Sequence, residues 1–227
     1  MTKSEVKDII EWDIVNWSNT IDYWSKNIDL KSGVFQCLEL GSNKGGLSLW
    51  LALNGHSVVC SDLESPEKLA SVLHEKYHMQ DNIQYESIDA TQIPYTNAFD
   101  IIIFKSILGG VSRNNKNEFK KKAIDSIYAA LKPGGVLLFA ENIEGSAMHK
   151  FFRKKFVSWG KDWNYLEITE LDGLFASYKN FQYTTVGFLG AFGRNERQRT
   201  FLGNLDQIFA KFVPENKRYI LAGIAEK

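Results

Sequence analysis

The sequence predicts an α/β domain: a doubly wound, mostly parallel sheet with helices on both faces. Three observations predict it. Short apolar runs alternate with segments of helical period, which is the signature of strand–helix–strand crossovers. The runs are apolar throughout, as strands covered on both faces must be. The first run ends in a glycine-rich bend, where open α/β sheets form a ligand crevice.

Each element follows from its own pattern. In residues 3–28, Ile9, Trp12, Val15 or Trp17, Ile21, Trp24 and Ile28 recur at helical spacing, giving a helix or a broken pair of helices. VFQCLEL (34–40) is a buried strand. LSLWLALNG (47–55) is a helix closed by Gly55. HSVVCSD (56–62) is the second strand, followed by a helix from Glu67 to His78 and a strand from Asn82 to Ile88. FDIIIFKSI (99–107) is the most apolar strand. Phe119, Ala123, Ile127 and Leu131 fall four apart on one helix face, and Lys132-Pro133-Gly134-Gly135 turns into the strand GVLLFAEN (135–142). The last third predicts helices near 147–157, 170–178 and 202–212 and strands at 183–192 and 218–227. With no internal repeat, low-complexity tract or linker, the 227 residues read as one domain in three parts: helical residues 1–30, a ligand-binding half at 31–142, and an elaborated part at 143–227.

Composition excludes several classes. Hydrophobic residues make up 44% of the chain, enough for a packed core. Lys plus Arg and Asp plus Glu both total 27, and a chain without net positive charge is not expected to be a general nucleic-acid or membrane-surface binder. Cys37 and Cys60 lie inside strand-like runs and are too few for a disulfide framework. The start MTKSEVKDIIEWD has no apolar h-region of a signal peptide, and no apolar run reaches the ~20 residues of a membrane span. A reducing cytoplasm is expected.

The bend Glu39-Leu40-Gly41-Ser42-Asn43-Lys44-Gly45-Gly46 brings backbone N–H groups close to a ligand. Read as G-x-G-x-x-G, its positions are Gly41, Asn43 and Gly46, and Asn43 stands where a dinucleotide site needs glycine beside the pyrophosphate. Glu39 would repel a diphosphate but suits a cationic ligand, unless it caps the next helix or pairs with Lys44. Asp62 ends the second strand about 20 residues after the bend, the offset of an acid that binds ribose hydroxyls, or else it caps the following helix.

With these residues in view, the chain resembles the class I S-adenosylmethionine-dependent methyltransferases. CLELGSNKG is similar to their motif I, VVCSDLE to their acidic ribose loop, SIDATQIPY to their adenine segment, FDIIIFKSILGGV to their fourth strand, and ALKPGGVLLFAEN to the turn into their fifth. The order holds across residues 34–142, with Asn43 departing from the family's usual glycine. The resemblance implies a Rossmann-like seven-stranded sheet whose last strand is antiparallel, and S-adenosylmethionine as cofactor. It also implies roles: Glu39, Gly41, Ser42 and Gly45 around the methionine part, Asp62 on the ribose, Leu63 packed on adenine, Asp89 and the Ala90 N–H on the adenine edge, Phe104 and Lys105 beneath the cofactor. Residues 1–30 are then a lid, and the acceptor segment is 143–200.

The reaction expected is methyl transfer to an O or N atom of a small molecule. Protein or RNA acceptors, a nicotinamide-dependent oxidoreductase and a cofactor-binding protein without chemistry are the alternatives. For a general base, His149 is the first candidate, before Glu141 and Tyr95. His74-Glu75-Lys76-Tyr77-His78 matches H-E-x-x-H, but nothing downstream completes a zinc site. It reads as two solvent-facing histidines, and no metal is expected. The basic and aromatic run from His149 to Phe156 reads as an amphipathic helix burying Phe152, Phe156 and Trp159, or as an RNA-stacking surface. Arg194, Arg197 and Arg199 read as a surface turn, or as a hold on an anionic acceptor. Trp12, Trp17, Tyr23 and Trp24 either pack onto the sheet or cover the acceptor pocket.

Overall fold

The structure, a computed structural model, describes residues 1–114, 116–156 and 162–227. Its elements are α1 (Lys3–Ile10), α2 (Ile14–Asn27), β1 (Gln36–Leu40), α3 (Gly46–Leu53), β2 (Ser57–Asp62), α4 (Glu67–Lys76), β3 (Ile83–Ser87), β4 (Phe99–Lys105), α5 (Leu108–Val111), α6 (Glu118–Ala130), β5 (Leu131–Asn142), α7 (Ala147–Phe156), α8 (Leu171–Leu174), β6 (Asn180–Val186), α9 (Glu196–Phe209) and β7 (Ile220–Glu226). The sheet has seven strands in the order β3-β2-β1-β4-β5-β7-β6. β1 to β5 pair in parallel, while β7 runs antiparallel to both β5 and β6. The antiparallel last strand is thus present, but it lies inside the sheet, with β6 at the edge.

Two apolar layers flank the sheet. One packs α1 to α4 on it through Ile10, Trp17, Trp24, Trp50 and Ala70. The other packs α6 and α8 through Ala123, Ile127 and Leu171. Strand order reverses between β1 and β4, and the crevice at the carboxyl ends of these strands is where such sheets take ligands.

Several expected boundaries move. The N-terminal stretch is indeed a broken pair of helices, separated where Glu11 and Asp13 adopt φ of 71° and 48°. β5 begins at Leu131 because the Lys132–Gly135 turn bulges out while Phe99 still pairs with Leu131. β6 ends at Val186, since Gly187 has a φ of 73°. α9 starts at Glu196, capped by the Asn195 side chain accepting from Gln198 N. Arg197 and Arg199 therefore lie on a helix and not in a turn. On α7, Phe151 and Phe152 are exposed, contrary to the burial expected for Phe152; Trp159 falls outside the described residues.

Residues 1–30 and 180–220 are joined by polar groups. Asp206, 3% exposed, accepts from the N–H groups of Phe188, Leu189 and Gly190 and from Asn16 Nδ2 at 2.7–3.0 Å. Asn16 also donates to the Tyr219 hydroxyl at 3.0 Å, and Tyr219 donates to Asp13. Glu196 accepts from the N–H groups of Asp13 and Ile14, which satisfies the orphan donors at the start of α2. Burial pushes the Asp13 carboxyl up to about 7, although its bond from Tyr219 opposes the shift.

Candidate functional site

The bend after β1 is built from left-handed backbone. Gly41, Asn43 and Gly45 have φ of 63°, 50° and 72°. A Cβ on Gly41 would lie 2.4 Å from Ile107 Cγ2, so only glycine fits there. The far end of the bend is fixed by His74, whose ring lies 2.9 Å from the Gly45 carbonyl oxygen and 2.8 Å from the Tyr85 hydroxyl. His74 is fully buried, not solvent-facing as the sequence reading held. Burial lowers its pKa. His78 lies beyond the end of α4 and is exposed. Among the described residues no group of three His, Cys, Asp or Glu side chains is placed to hold a metal ion.

Glu39 is 3% exposed and accepts from Ser48 N at 2.7 Å and Ser48 Oγ at 2.5 Å. It therefore does cap α3, while Lys44 pairs with Glu11 instead. Burial pushes the Glu39 carboxyl up to about 7 against those bonds and against the charge of Lys105. Lys105 reaches from the end of β4 to donate to the Ile10 carbonyl at 2.7 Å, and burial lowers its pKa. Asp62 accepts from Asn43 N at 3.0 Å and from Leu63 N at 2.8 Å, so it tethers the bend to the end of β2.

Two cavities meet over this framework. One, of about 220 Å³, includes Glu39, Ser42, Asn43 and Lys105 and is roofed by Ile9, Glu11 and Trp12. The other, of about 340 Å³, includes Asp62, Leu63, Ile88, Ala90, Ile107 and Trp163. Gly41 and Ser106 line both, so the two form one groove across the end of β1 and β4.

The groove brings together Glu39, Gly41, Ser42, Asp62, Leu63, Ala90 and Lys105. Three other expected residues stand back from it. Gly45 turns the bend and caps α3. Asp89 is exposed and accepts from the N–H and hydroxyl of Thr91, each at 2.8 Å. Phe104 is fully buried, its ring 5.6 Å from Phe139, because alternate residues of β4 face opposite layers. The residues that the sequence did not single out include Ser106, Ile107, Glu11 and Trp163. Trp163 comes from a segment without local pattern, and its ring lies against Gly109 and Gly110.

The candidate bases stand elsewhere. His149 is 1% exposed, with Nδ1 facing the backbone N–H and hydroxyl of Ser146 and Nε2 at 2.8 Å from the Phe188 carbonyl oxygen. Its ring stacks on Phe192 and lines neither cavity. The first choice of base is thus held by Ser146 and Phe188, apart from the groove. Glu141 is fully buried, accepts from Ile107 N and Leu108 N at 2.6 Å each, and is pushed up to about 8 by burial. Tyr95 donates to Glu86.

Comparison with known proteins agrees with this geometry. Residues 38–139 match the family model described as a methyltransferase domain. A phosphoethanolamine N-methyltransferase of Haemonchus contortus, solved with phosphomonomethylethanolamine and S-adenosylhomocysteine, superposes with a TM-score of 0.64 at 16% identity. That match covers 93% of this chain and 52% of the other. A methyltransferase of Methanosarcina mazei gives 0.61 at 17% identity, over 90% of this chain and 96% of the other. The [4+2]-cyclase SpnF gives 0.62 at 17% identity, over 92% and 80%. No curated protein sequence matches the chain. The structural likenesses establish the fold, which one relative uses for a cyclisation. The family match shows a methyltransferase domain over residues 38–139, the stretch that supplies most of the groove.

Proposed function

We propose that the groove holds S-adenosylmethionine with its amino-acid end in the smaller cavity and its adenosine in the larger, and that the methyl goes to an O or N atom of a small-molecule acceptor. The observation that carries this reading is the continuity of the two cavities through Gly41 and Ser106, with Glu39 at one end and Asp62 at the other. The residues fit the group. Ser42 Oγ is buried without a hydrogen-bond partner at the amino-acid end. Glu39 is a carboxylate lacking a full counter-charge, which an ammonium would supply. Leu63, 70% exposed, offers an apolar side chain to a base. A dinucleotide fits less well, because Asn43 gives its N–H to Asp62 and leaves it unavailable to a diphosphate.

Bound there, S-adenosylmethionine supplies a methyl group on a sulfonium, open to in-line displacement with a neutral thioether leaving. The chain's own work is placement and exclusion of water. Gly41 lets the ligand approach the backbone of the bend. Glu39 fixes the cationic tail and Asp62 the ribose, while Ala90 bounds the base and Asp89 stiffens the loop beside it. Phe104 backs β4 from the core. Lys105, bonded to the Ile10 carbonyl, holds α1 over the smaller cavity. Residues 1–30 act as the lid through Ile9, Glu11 and Trp12, whereas Trp17 and Trp24 of α2 are buried in the core. The balanced charge of the chain, with Lys plus Arg and Asp plus Glu both at 27, favours a small acceptor over a nucleic acid. An amine arriving neutral needs no base, so the structural roles of His149, Glu141 and Tyr95 are no obstacle. The two buried free thiols, Cys37 and Cys60, suit a cytoplasmic setting; among the described residues no helix is long and apolar enough to cross a membrane. The test is a coupled assay for S-adenosylhomocysteine release over a panel of small amines, hydroxyl compounds, peptides and RNA. Turnover confined to small molecules supports the proposal, and turnover confined to a polymer overturns it.

A further inference from the structure

On α9, Asp206 and Gly203 face the protein, Gly203 against Val15 of α2. The opposite face carries Phe201, Leu205 and Ile208, spaced four and three apart and so aligned in one stripe, and Phe212 follows in the 3-10 turn Ala210–Phe212 that continues the helix. Phe201 is 64%, Ile208 60% and Phe212 73% exposed, with Phe209 beside them at 49%. Isolated exposed apolar residues need no explanation, but an aligned row of large ones marks a contact surface. None of these side chains lines either cavity of the groove.

The charges around the stripe identify what it meets. Arg197, Lys211 and Lys217 are exposed. The acids of the same segment are largely withdrawn: Glu196 caps α2 and Asp206 is buried in its bonds to 188–190. Glu215 is the exposed acid of this stretch. Pairing with a second copy would set like charges together. In an antiparallel two-fold pairing centred near Leu205, Arg197 of one copy meets the region of Lys211 of the other, and in a parallel pairing each cation meets itself. A helix face with large exposed apolar side chains flanked by cations is the form that seats in a lipid headgroup layer.

We infer that the outer face of α9 docks on an anionic lipid surface, inserting Phe201, Ile208 and Phe212 while Arg197, Lys211 and Lys217 meet the headgroups. This departs from the expectation, drawn from overall charge, of no membrane partner: the net charge is zero, but this face is basic. The inference is independent of what occupies the groove.

The experiment is co-sedimentation of the full chain with phosphatidylcholine vesicles, with and without added phosphatidylglycerol, beside light scattering without lipid. Binding is expected to need phosphatidylglycerol and to weaken with salt. The F201S/I208S/F212S variant should bind at least about tenfold more weakly, and R197E/K211E should lose the preference for anionic vesicles. Both should retain wild-type circular dichroism and S-adenosylhomocysteine affinity, since neither touches the groove. Absence of binding to either vesicle would overturn the inference. So would a dimer in free solution that F201S/I208S/F212S dissociates, because the stripe would then be a protein interface.

Discussion

Residues 31–142 and the regions on either side of them, 1–30 and 143–227, are held by different chemistry. The central strands β1 and β4 are buried on both faces, and the layers above and below are apolar. The N-terminal helices and the segment before β7 meet through carboxylates instead: Asp206 gathers three backbone N–H groups and Asn16, Asp13 receives Tyr219, and Glu196 starts α2. An apolar layer tolerates small adjustments, whereas a buried carboxylate leaves unpaired donors when removed. The comparison teaches that the position of residues 1–30 depends on a few polar groups far along the chain.

The largest effect expected follows from that. Asp206→Ala strands three backbone donors and takes one acceptor from Asn16, and should cost on the order of 3 kcal/mol or more, read as a lowered midpoint in urea. A loss within about 0.5 kcal/mol would show that residues 1–30 do not rest on this network. Gly46→Ala comes next. A Cβ there would lie 2.2 Å from the Ile9 carbonyl oxygen, a backbone atom. The variant should lose roughly 1–3 kcal/mol, with faster amide exchange in α1 than in β1 or β4. Uniform exchange would mean that α1 and the sheet are one cooperative unit.

A gentler effect separates the two regions by pH. Glu39 in the groove and Asp13 in the network are both pushed up to about 7 by burial, but the proposal makes only Glu39 face a cation. Binding of an ammonium favours the ionised carboxylate, so affinity for S-adenosylhomocysteine should fall as pH drops below about 7, by up to roughly tenfold per unit. Above that pH it should level off. Glu39→Gln should bind weakly and flatten the profile; an unchanged profile would remove Glu39 from the amino-acid end.

The same contrast governs what was legible in the sequence. Continuous apolar runs revealed β1, β2, β4 and β5, and the acids and glycines at their ends located most of the groove. Phe104 was misjudged because a fully buried strand gives no alternation to say which way a residue points. In residues 143–227, His149 read as a reactive group when it is tied by Ser146 and the Phe188 carbonyl. Such bonds join residues tens of positions apart and leave no local pattern. Trp163 was invisible for the same reason: it reaches the groove by packing on Gly109 and Gly110. The Asn195–Gln198 cap was readable, and would have placed the start of α9 correctly.

The central claim is that Asp62 and the bend it tethers hold an adenosine carrying a cationic tail. Titration calorimetry of the wild type and Asp62→Ala with S-adenosylhomocysteine, and of the wild type with NADH, tests it most directly. The account predicts binding of S-adenosylhomocysteine, no measurable binding of NADH, and a loss of about 1–3 kcal/mol in Asp62→Ala with circular dichroism unchanged. Equal affinity in the folded variant, or binding of NADH alone, would contradict it.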